Sequence, residues 1–361
     1  MTRLLRRTLL ILVLIALLLG LSIHSLTWRP DDLQTLPVSC SADAPTLVPG
    51  QALKVMSWNV QYLAGKRYVF WYDLPDGSGP DERPTPEDMA FSLDEVARVI
   101  RDEKPDIVLL QELHDGAKAS GYQDQLALLE ERLTDIYPCS TRAFDWKADF
   151  VPDWHIFGSV GSTLATLSRY RIEHAERRQL PVAQTNLLSR QFQPKRALLV
   201  SYLPLSDKGQ LAVINTHLDA FNRGHDTQEQ QVLASAALLD DFEKLGTPWL
   251  IGGDFNLLPQ GQYLRLAQPQ RQQYDADSPL HLLWDKYPMI PSNKETGGQS
   301  RADWLTAYPN DPSVEGPDRT LDYLFHSPKL KRVEARVRQD DTQRISDHLP
   351  LIARFLLPPS R

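Results

Sequence analysis

The chain is poor in sulfur: two cysteines and four methionines among 361 residues. That excludes a thiolate metal cluster and a disulfide-stapled miniprotein. It lacks the G-x-S-x-G turn of many serine hydrolases and the GKS/T phosphate loop, and it has no clustered Cys and His at zinc-ligand spacing. No internal repeat is present. No long basic stretch is present either, and 39 basic against 46 acidic residues leave a net charge of −7. An acidic balance weighs against a protein whose affinity rests on neutralising phosphates, although a local basic cleft is compatible with it. Long apolar runs are missing everywhere except the N-terminus, which excludes a polytopic membrane protein. What remains is ordinary globular chemistry, 42% hydrophobic and 24% charged, and neither disorder, collagen nor coiled coil fits it.

The N-terminus points to a compartment. Arg3, Arg6 and Arg7 precede an uncharged run from Thr8 to Thr27. About twenty helical residues span roughly 30 Å, one hydrocarbon core. Basic flanks stay cytoplasmic, so residues 1–7 form a cytoplasmic stub, 8–27 a single-pass signal anchor in the cytoplasmic membrane, and the rest faces outside. The competing reading is a cleaved secretory signal and a secreted protein. Gly20-Leu21-Ser22 is a weak cleavage site and Leu26 extends the apolar run past it, so the anchor is preferred. Residues 28–51, rich in Pro, Ser and Asp, read as a linker, and 52–361 as one exported domain. Outside the cytoplasm Cys40 and Cys139 are candidates for a disulfide; the alternative is two unrelated buried thiols.

Within the domain, strand-like runs alternate with helical patterns. LKVMSWNVQYL, DIVLLQEL, STLATLS, RALLVSYL, QLAVINTHL, PWLIGGDF, TLDYLFH and HLPLIARFLL read as strands. Thr85-Pro86-Glu87-Asp88 combines a cap, a first-turn proline and first-turn acids, and apolar residues at helical spacing follow. A second helix is expected over about 227–245. This interleaving predicts an α/β architecture. Three aromatic-rich segments, around Tyr68–Tyr72, Phe144–Trp154 and Trp284–Tyr308, read as loops that either pack over the core or form an apolar rim facing a cleft or membrane.

Polar residues collect where apolar strands end: Asn59, Glu112, Asn215 and His217, Asp254 and Asn256, Asp322, then Asp347 and His348. A single such residue is usually a cap. Six strand ends with different chemistry need another explanation, because loops fixed by a sheet are where catalytic groups gather. The set holds hard oxygen ligands, two imidazoles and three amides. Carboxylate and water ligation suits Mg²⁺, and such a site can hold a phosphate ester and activate water in line.

The ordered motifs SWNV, LLQEL, NTHL, GGDFN, LDYLF and SDHLP resemble the endonuclease/exonuclease/phosphatase superfamily over roughly residues 52–356. The resemblance implies a four-layer α/β sandwich, two mixed β-sheets face to face with helices outside, and an active site at one edge. It implies a metal site for Mg²⁺, with Mn²⁺ as a substitute: Glu112 as principal ligand, with Asn59 and Asp347 binding directly or through water. By the same resemblance Asn256 contacts phosphate, Asp254 orients water or an imidazole, His217 and His348 are the acid/base pair, and Asp322 holds His348. Arg196 resembles a phosphate-binding arginine, with a surface or cap arginine as the alternative; Asn215 is grouped with it as a substrate contact. Ser346 either shapes the site or is a turn residue. His114 is a weaker substrate-contact candidate, and the other histidines read as packed or solvated.

The shared core does not choose a substrate. The anchor and the aromatic segments favour a phosphodiesterase acting on lipid headgroups or other membrane-proximal phosphodiesters. The alternatives are an exported deoxyribonuclease I-like endonuclease, with nucleic acid as substrate only, a phosphomonoesterase, and, in a different class, an inactive anchored binding module. The membrane is the implied partner through the N-terminal helix, and no stable protein partner is implied.

Overall fold

The computed structural model describes residues 3–186, 189–220 and 226–360. Fourteen strands run β1 (Leu33–Leu36), β2 (Val38–Cys40), β3 (Ala52–Asn59), β4 (Ile107–His114), β5 (Cys139–Val151), β6 (Gly158–Ser168), β7 (His174–Gln179), β8 (Ala197–Pro204), β9 (Gln210–His217), β10 (Trp249–Asp254), β11 (Met289–Ile290), β12 (Asp322–His326), β13 (Lys331–Val337) and β14 (Leu351–Leu356). They form two seven-stranded sheets, ordered β1-β7-β8-β9-β10-β12-β11 and β13-β14-β3-β4-β6-β5-β2. The β3–β4 and β9–β10 pairs are parallel and the others antiparallel.

The central strands read as continuous apolar runs because both of their faces are buried. Val55, Leu109, Leu199, Val213 and Leu250 fill the space between the sheets. On the outer face of the first sheet, Ile214, Ile251 and Phe325 meet Val232, Ala236 and Leu239 of the helix Thr227–Leu245. On the outer face of the second, Met56, Val108 and Leu110 meet Leu93, Val96 and Ile100 of the helix Pro86–Glu103, and Leu129 of the helix Gln125–Leu133. The result is the four-layer α/β sandwich. Thr85 caps the helix Pro86–Glu103 by accepting the Asp88 N–H, as its sequence predicts.

The helix Arg3–Leu26 buries none of its side chains in the protein and is long and apolar enough to cross a membrane. The segment that follows is not the loose linker expected for 28–51. Trp28 packs edge-on against Phe144 (6.2 Å between centroids), and the Arg177 guanidinium lies 4.9 Å from its indole centre. β1 then adds to β7 in one sheet, and β2 adds to β5 in the other. Cys40 and Cys139 face each other in that last pair and are joined in a disulfide. These edge strands are only four and three residues long and are flanked by Pro, Ser and Asp, which is why composition alone reads the segment as a spacer. Charged alternation likewise conceals β7 and β13. It conceals β5 as well, so Phe144 and Trp146 belong to a strand and not to the expected aromatic loop.

One buried bridge ties the sheets together beneath the site. Side chains 213, 215 and 217 of β9 share a face. Val213 lies in the inter-sheet core, and Asn215 lies one repeat nearer the edge. Its amide donates to the carbonyls of Leu110 and Ala165, each at 2.9 Å, and accepts from Gln111 Nε2 at 2.7 Å. Asn215 is fully buried with both polar atoms engaged, so it is a structural tie and not the substrate contact expected of it. Asn215→Ala strands two carbonyls and one amide, which should lower the unfolding free energy by about 2–4 kcal/mol. Denaturant melts of the full chain in detergent measure this, and a loss below about 0.5 kcal/mol would show the bridge to be idle.

Candidate active site

Parallel pairing sets the site's location. β3 and β4 end at the same edge, as do β9 and β10, so Asn59, His217 and Asp254 arrive there as the last residues of their strands. Asp322 opens β12 directly opposite Asp254 in register. A bulge in β4 between Leu110 and Leu113 turns Glu112 inward, with φ at 61°. Asn256 holds φ at 52° just past β10. Left-handed backbone at non-glycine residues is uncommon and gathers where side chains must be aimed. Gly253 is required by contact: a Cβ there would lie 1.9 Å from the Thr216 carbonyl oxygen.

Asp254 Oδ2 is the meeting point. Asn59 Nδ2 donates to it from the other sheet at 3.1 Å, while His217 Nε2 and His348 Nε2 each lie 3.5 Å away. The Asn256 N–H donates to the second oxygen, Oδ1, at 2.9 Å. Asn59 Nδ2 also donates to Glu112 Oε1 at 3.0 Å, and His217 Nε2 stands 3.8 Å from that oxygen. Ser346 Oγ accepts the His348 N–H and donates to the Asn59 carbonyl, and Trp58 Nε1 donates to the His348 carbonyl. These bonds fix the Ser346-Asp347-His348 turn against β3, so Ser346 shapes the site.

The two imidazoles are driven in opposite directions. Burial alone would lower the His348 pKa, but Asp322, Asp254 and Asp347 outweigh it and raise it well above the ordinary value. Asp322 Oδ2 accepts from His348 Nδ1 at 2.8 Å. His217 has no such partner. Its Nδ1 faces Arg196 Nη1 at 3.0 Å, and since a guanidinium can only donate, Nδ1 must accept. The proton of the neutral ring then sits on Nε2, facing the cavity. Burial, Arg196 and His348 together hold the His217 pKa well below its usual range.

Arg196 itself is buried, paired with Asp145 and with Asp219 Oδ1 at 3.3 Å. It reaches the site through His217 and is not a surface arginine. Asp145 has no exposed surface and was missed in the sequence; its one signal is an acid in the inward phase of β5, after Thr141 and Ala143. Lys66 was missed too. It donates to the carbonyls of Tyr308 and Pro309, and burial lowers its pKa to about 8 although nearby Asp347 opposes the shift. Asn256 donates through its amide to the Leu218 carbonyl at 3.0 Å and stays half-buried beside Asp254. His114 stacks on Tyr62 at 4.5 Å with Nδ1 toward Ser120, away from Asp254. His225 lies outside the described residues.

The donor set fits a divalent cation. Burial and then Asp347 raise the Glu112 pKa to about 7, and neither acid has a Lys or Arg ion pair among the described residues. Asp254 is raised to about 6, first by burial. Two uncompensated carboxylates beside each other call for positive charge. Asn59 is held on both sides: its oxygen accepts the Gln61 N–H at 2.9 Å while its amide donates to Glu112, which orients that carboxylate. Asp254, Asp322 and His348 also lie within ligating distance of one another. A protonated imidazole cannot ligate, so that trio reads as a proton-holding group.

Comparisons place this geometry among known proteins. The sequence matches the Endonuclease/Exonuclease/phosphatase family over residues 56–348. A comparison with curated proteins finds no match. Among solved structures, the chain is similar to the endonuclease/exonuclease/phosphatase from Beutenbergia cavernae at 20% identity and a TM-score of 0.57, covering 86% of this chain and 72% of that one. It is similar to the human Nocturnin catalytic domain, solved with bound sulfate, at 19% identity and a TM-score of 0.50, covering 89% and 97%. TDP2 from Caenorhabditis elegans aligns at 16% identity and a TM-score of 0.51, covering 86% and 75%. At these identities the neighbours establish the fold, and the family match establishes more: the chain belongs to the endonuclease/exonuclease/phosphatase family of metal-dependent phosphoester hydrolases.

Proposed function

We propose that this protein is a Mg²⁺-dependent phosphodiesterase that works outside the cytoplasmic membrane on phosphodiesters close to the bilayer, held there by its N-terminal helix. The observation that carries the proposal is the convergence on Asp254 of two imidazoles, one hydrogen-bonded to the Asp322 carboxylate and the other to the Arg196 guanidinium. His348 then acts as the general acid, donating through Nε2 to the leaving oxygen, while Asp322 stabilises its charge. His217 donates a hydrogen bond from Nε2–H to a phosphate oxygen, and Asp254 orients the attacking water and takes its proton, balancing the one His348 gives to the leaving oxygen. Glu112 and Asp347 hold the cation, with Asn59 positioning Glu112; the bound cation supplies charge against the phosphate oxygens. Mn²⁺, with similar oxygen preferences, is expected to substitute.

An apolar surface beside the site supports a lipid-proximal substrate. Trp154 is 91% exposed and Tyr122 64%, and Phe150 and Phe157 flank them in a groove of about 580 Å³ with Lys118. That groove is also lined by Gly116, two residues past the end of the β4 strand that carries Glu112. Aromatic rings beside a lysine suit a membrane–water interface.

Full chain in detergent with Mg²⁺ should cleave a generic phosphodiester, and Glu112→Gln and His348→Ala should each reduce kcat by about 10²–10⁴-fold. Headgroup release from vesicles, compared with nicking of supercoiled DNA, decides the substrate; turnover of DNA alone would replace this reading with an exported nuclease. EDTA should abolish activity and Mg²⁺ restore it.

Two pH effects follow. Activity needs His348 protonated, so the rate should fall as pH rises through its raised pKa. Asp322→Asn removes the charge that raises it, and the alkaline limb should move to lower pH by about 1 unit or more. An unmoved limb would reassign the acid. In stability, Glu112 and Asp254 bind protons more tightly folded than unfolded, so the metal-free protein loses stability as pH rises from about 4 to about 7. Cation binding needs Glu112 ionised and offsets its share of that loss. The Tm gain from Mg²⁺ over EDTA should therefore be larger at pH 7.5 than at pH 5.5.

A further inference from the structure

A second site lies where the chain leaves the N-terminal helix. A cavity of about 310 Å³ is lined there by Thr27 and Arg29, just beyond Leu26, by Gln179 at the end of β7, and by Arg190, Gln191 and Lys195. Arg29, Arg190 and Lys195 make no ion pair among the described residues. Arg29 donates to the His24 carbonyl and to Gln191 Oε1, and Lys195 donates to the Arg190 carbonyl at 2.6 Å. The three cations are close enough to oppose one another: burial, then Arg190 and Arg29, lowers the Lys195 pKa to about 8. Uncompensated like charges around a cavity are unfavourable unless an anion enters it.

The anchor fixes the depth of this cavity. Trp28 is clamped between Phe144 and Arg177, so residues 27–29 cannot swing away from the domain. The headgroup layer extends a few ångströms beyond the hydrocarbon core, and Thr27 and Arg29 follow the last helical residue directly. We propose that this cavity binds the phosphate headgroup of an anionic lipid of the leaflet from which the helix emerges. The inference rests on the reading of Arg3–Leu26 as a retained anchor and does not depend on the chemistry at Asp254.

The test uses the full chain in nanodiscs of mixed phosphatidylglycerol and phosphatidylcholine, with bound lipid counted by native mass spectrometry. Basic groups at a membrane surface each favour anionic lipid by about fivefold. Phosphatidylglycerol should be retained over phosphatidylcholine by on the order of tenfold. The preference should collapse in the Arg190→Ala/Lys195→Ala double variant and survive Lys195→Arg. Equal retention of the two lipids, or an unchanged preference in the double variant, would overturn the proposal. Inorganic phosphate that occupies the cavity with no lipid preference would assign it to a soluble anion and overturn the lipid reading. Alkaline carbonate extraction separates this from the anchor: a chain released from membranes sinks both readings, and a chain retained without lipid preference sinks only the cavity.

Discussion

Everything at the catalytic edge is organised around one carboxylate oxygen. Asp254 Oδ2 faces an amide N–H from β3 and two imidazole nitrogens, one at the end of β9 and one from the turn before β14. No one of these partners is near another in sequence. The oxygen is therefore a fold-level contact: it exists only if both sheets are formed and stacked in the correct offset. Asn215 enforces that offset from beneath, because its amide is satisfied only when β9 meets both β4 and β6. Packing of apolar side chains tolerates small slips, whereas a buried amide with three hydrogen bonds does not. The structural tie Asn215 and the catalytic imidazole His217 are thus two adjacent repeats of one strand.

The same arrangement explains why two chemically identical side chains differ. Both rings have acids nearby, but His348 Nδ1 is hydrogen-bonded to the Asp322 carboxylate and His217 Nδ1 to the Arg196 guanidinium. Pairs of titratable groups pushed apart by their environments are what acid/base chemistry near neutral pH requires. Arg196 could not do this alone, since an unpaired buried guanidinium would be costly. Asp145 and Asp219 compensate it, leaving one N–H for His217. A cation is thereby held beside an imidazole without protonating it.

The sequence made the central strands, both long helices of the domain and the catalytic edge legible, for a common physical reason. Strands buried on two faces are apolar throughout, and a polar residue that ends such a run stands out. Glu112, His217, Asp254 and His348 are all visible in this way. What stayed hidden is polar structure made by partners. Asp145 is one acid in a strand of mixed polarity, and its importance comes from Arg196, some fifty residues away. Asn215 looks like a site residue because it neighbours His217, yet the pleat places it a layer deeper. Asn59 was assigned to the right place, but which atom it presents depends on the Gln61 N–H behind it. β1 and β2 were unreadable because edge strands take their stability from a neighbour's backbone and not from their own side chains.

Those two short strands determine how the N-terminal helix meets the domain. Trp28 packs on Phe144 and Arg177, β1 extends one sheet and β2 the other, and the Cys40–Cys139 bond closes the strap. A flexible linker would leave the helix free to swing about the domain; a strand paired in each sheet removes that freedom. The strap also joins the anchor to catalysis through β5: Phe144 holds Trp28, and the next residue, Asp145, holds Arg196. The helix end is therefore linked through Trp28, Phe144, Asp145 and Arg196 to the tautomer of His217.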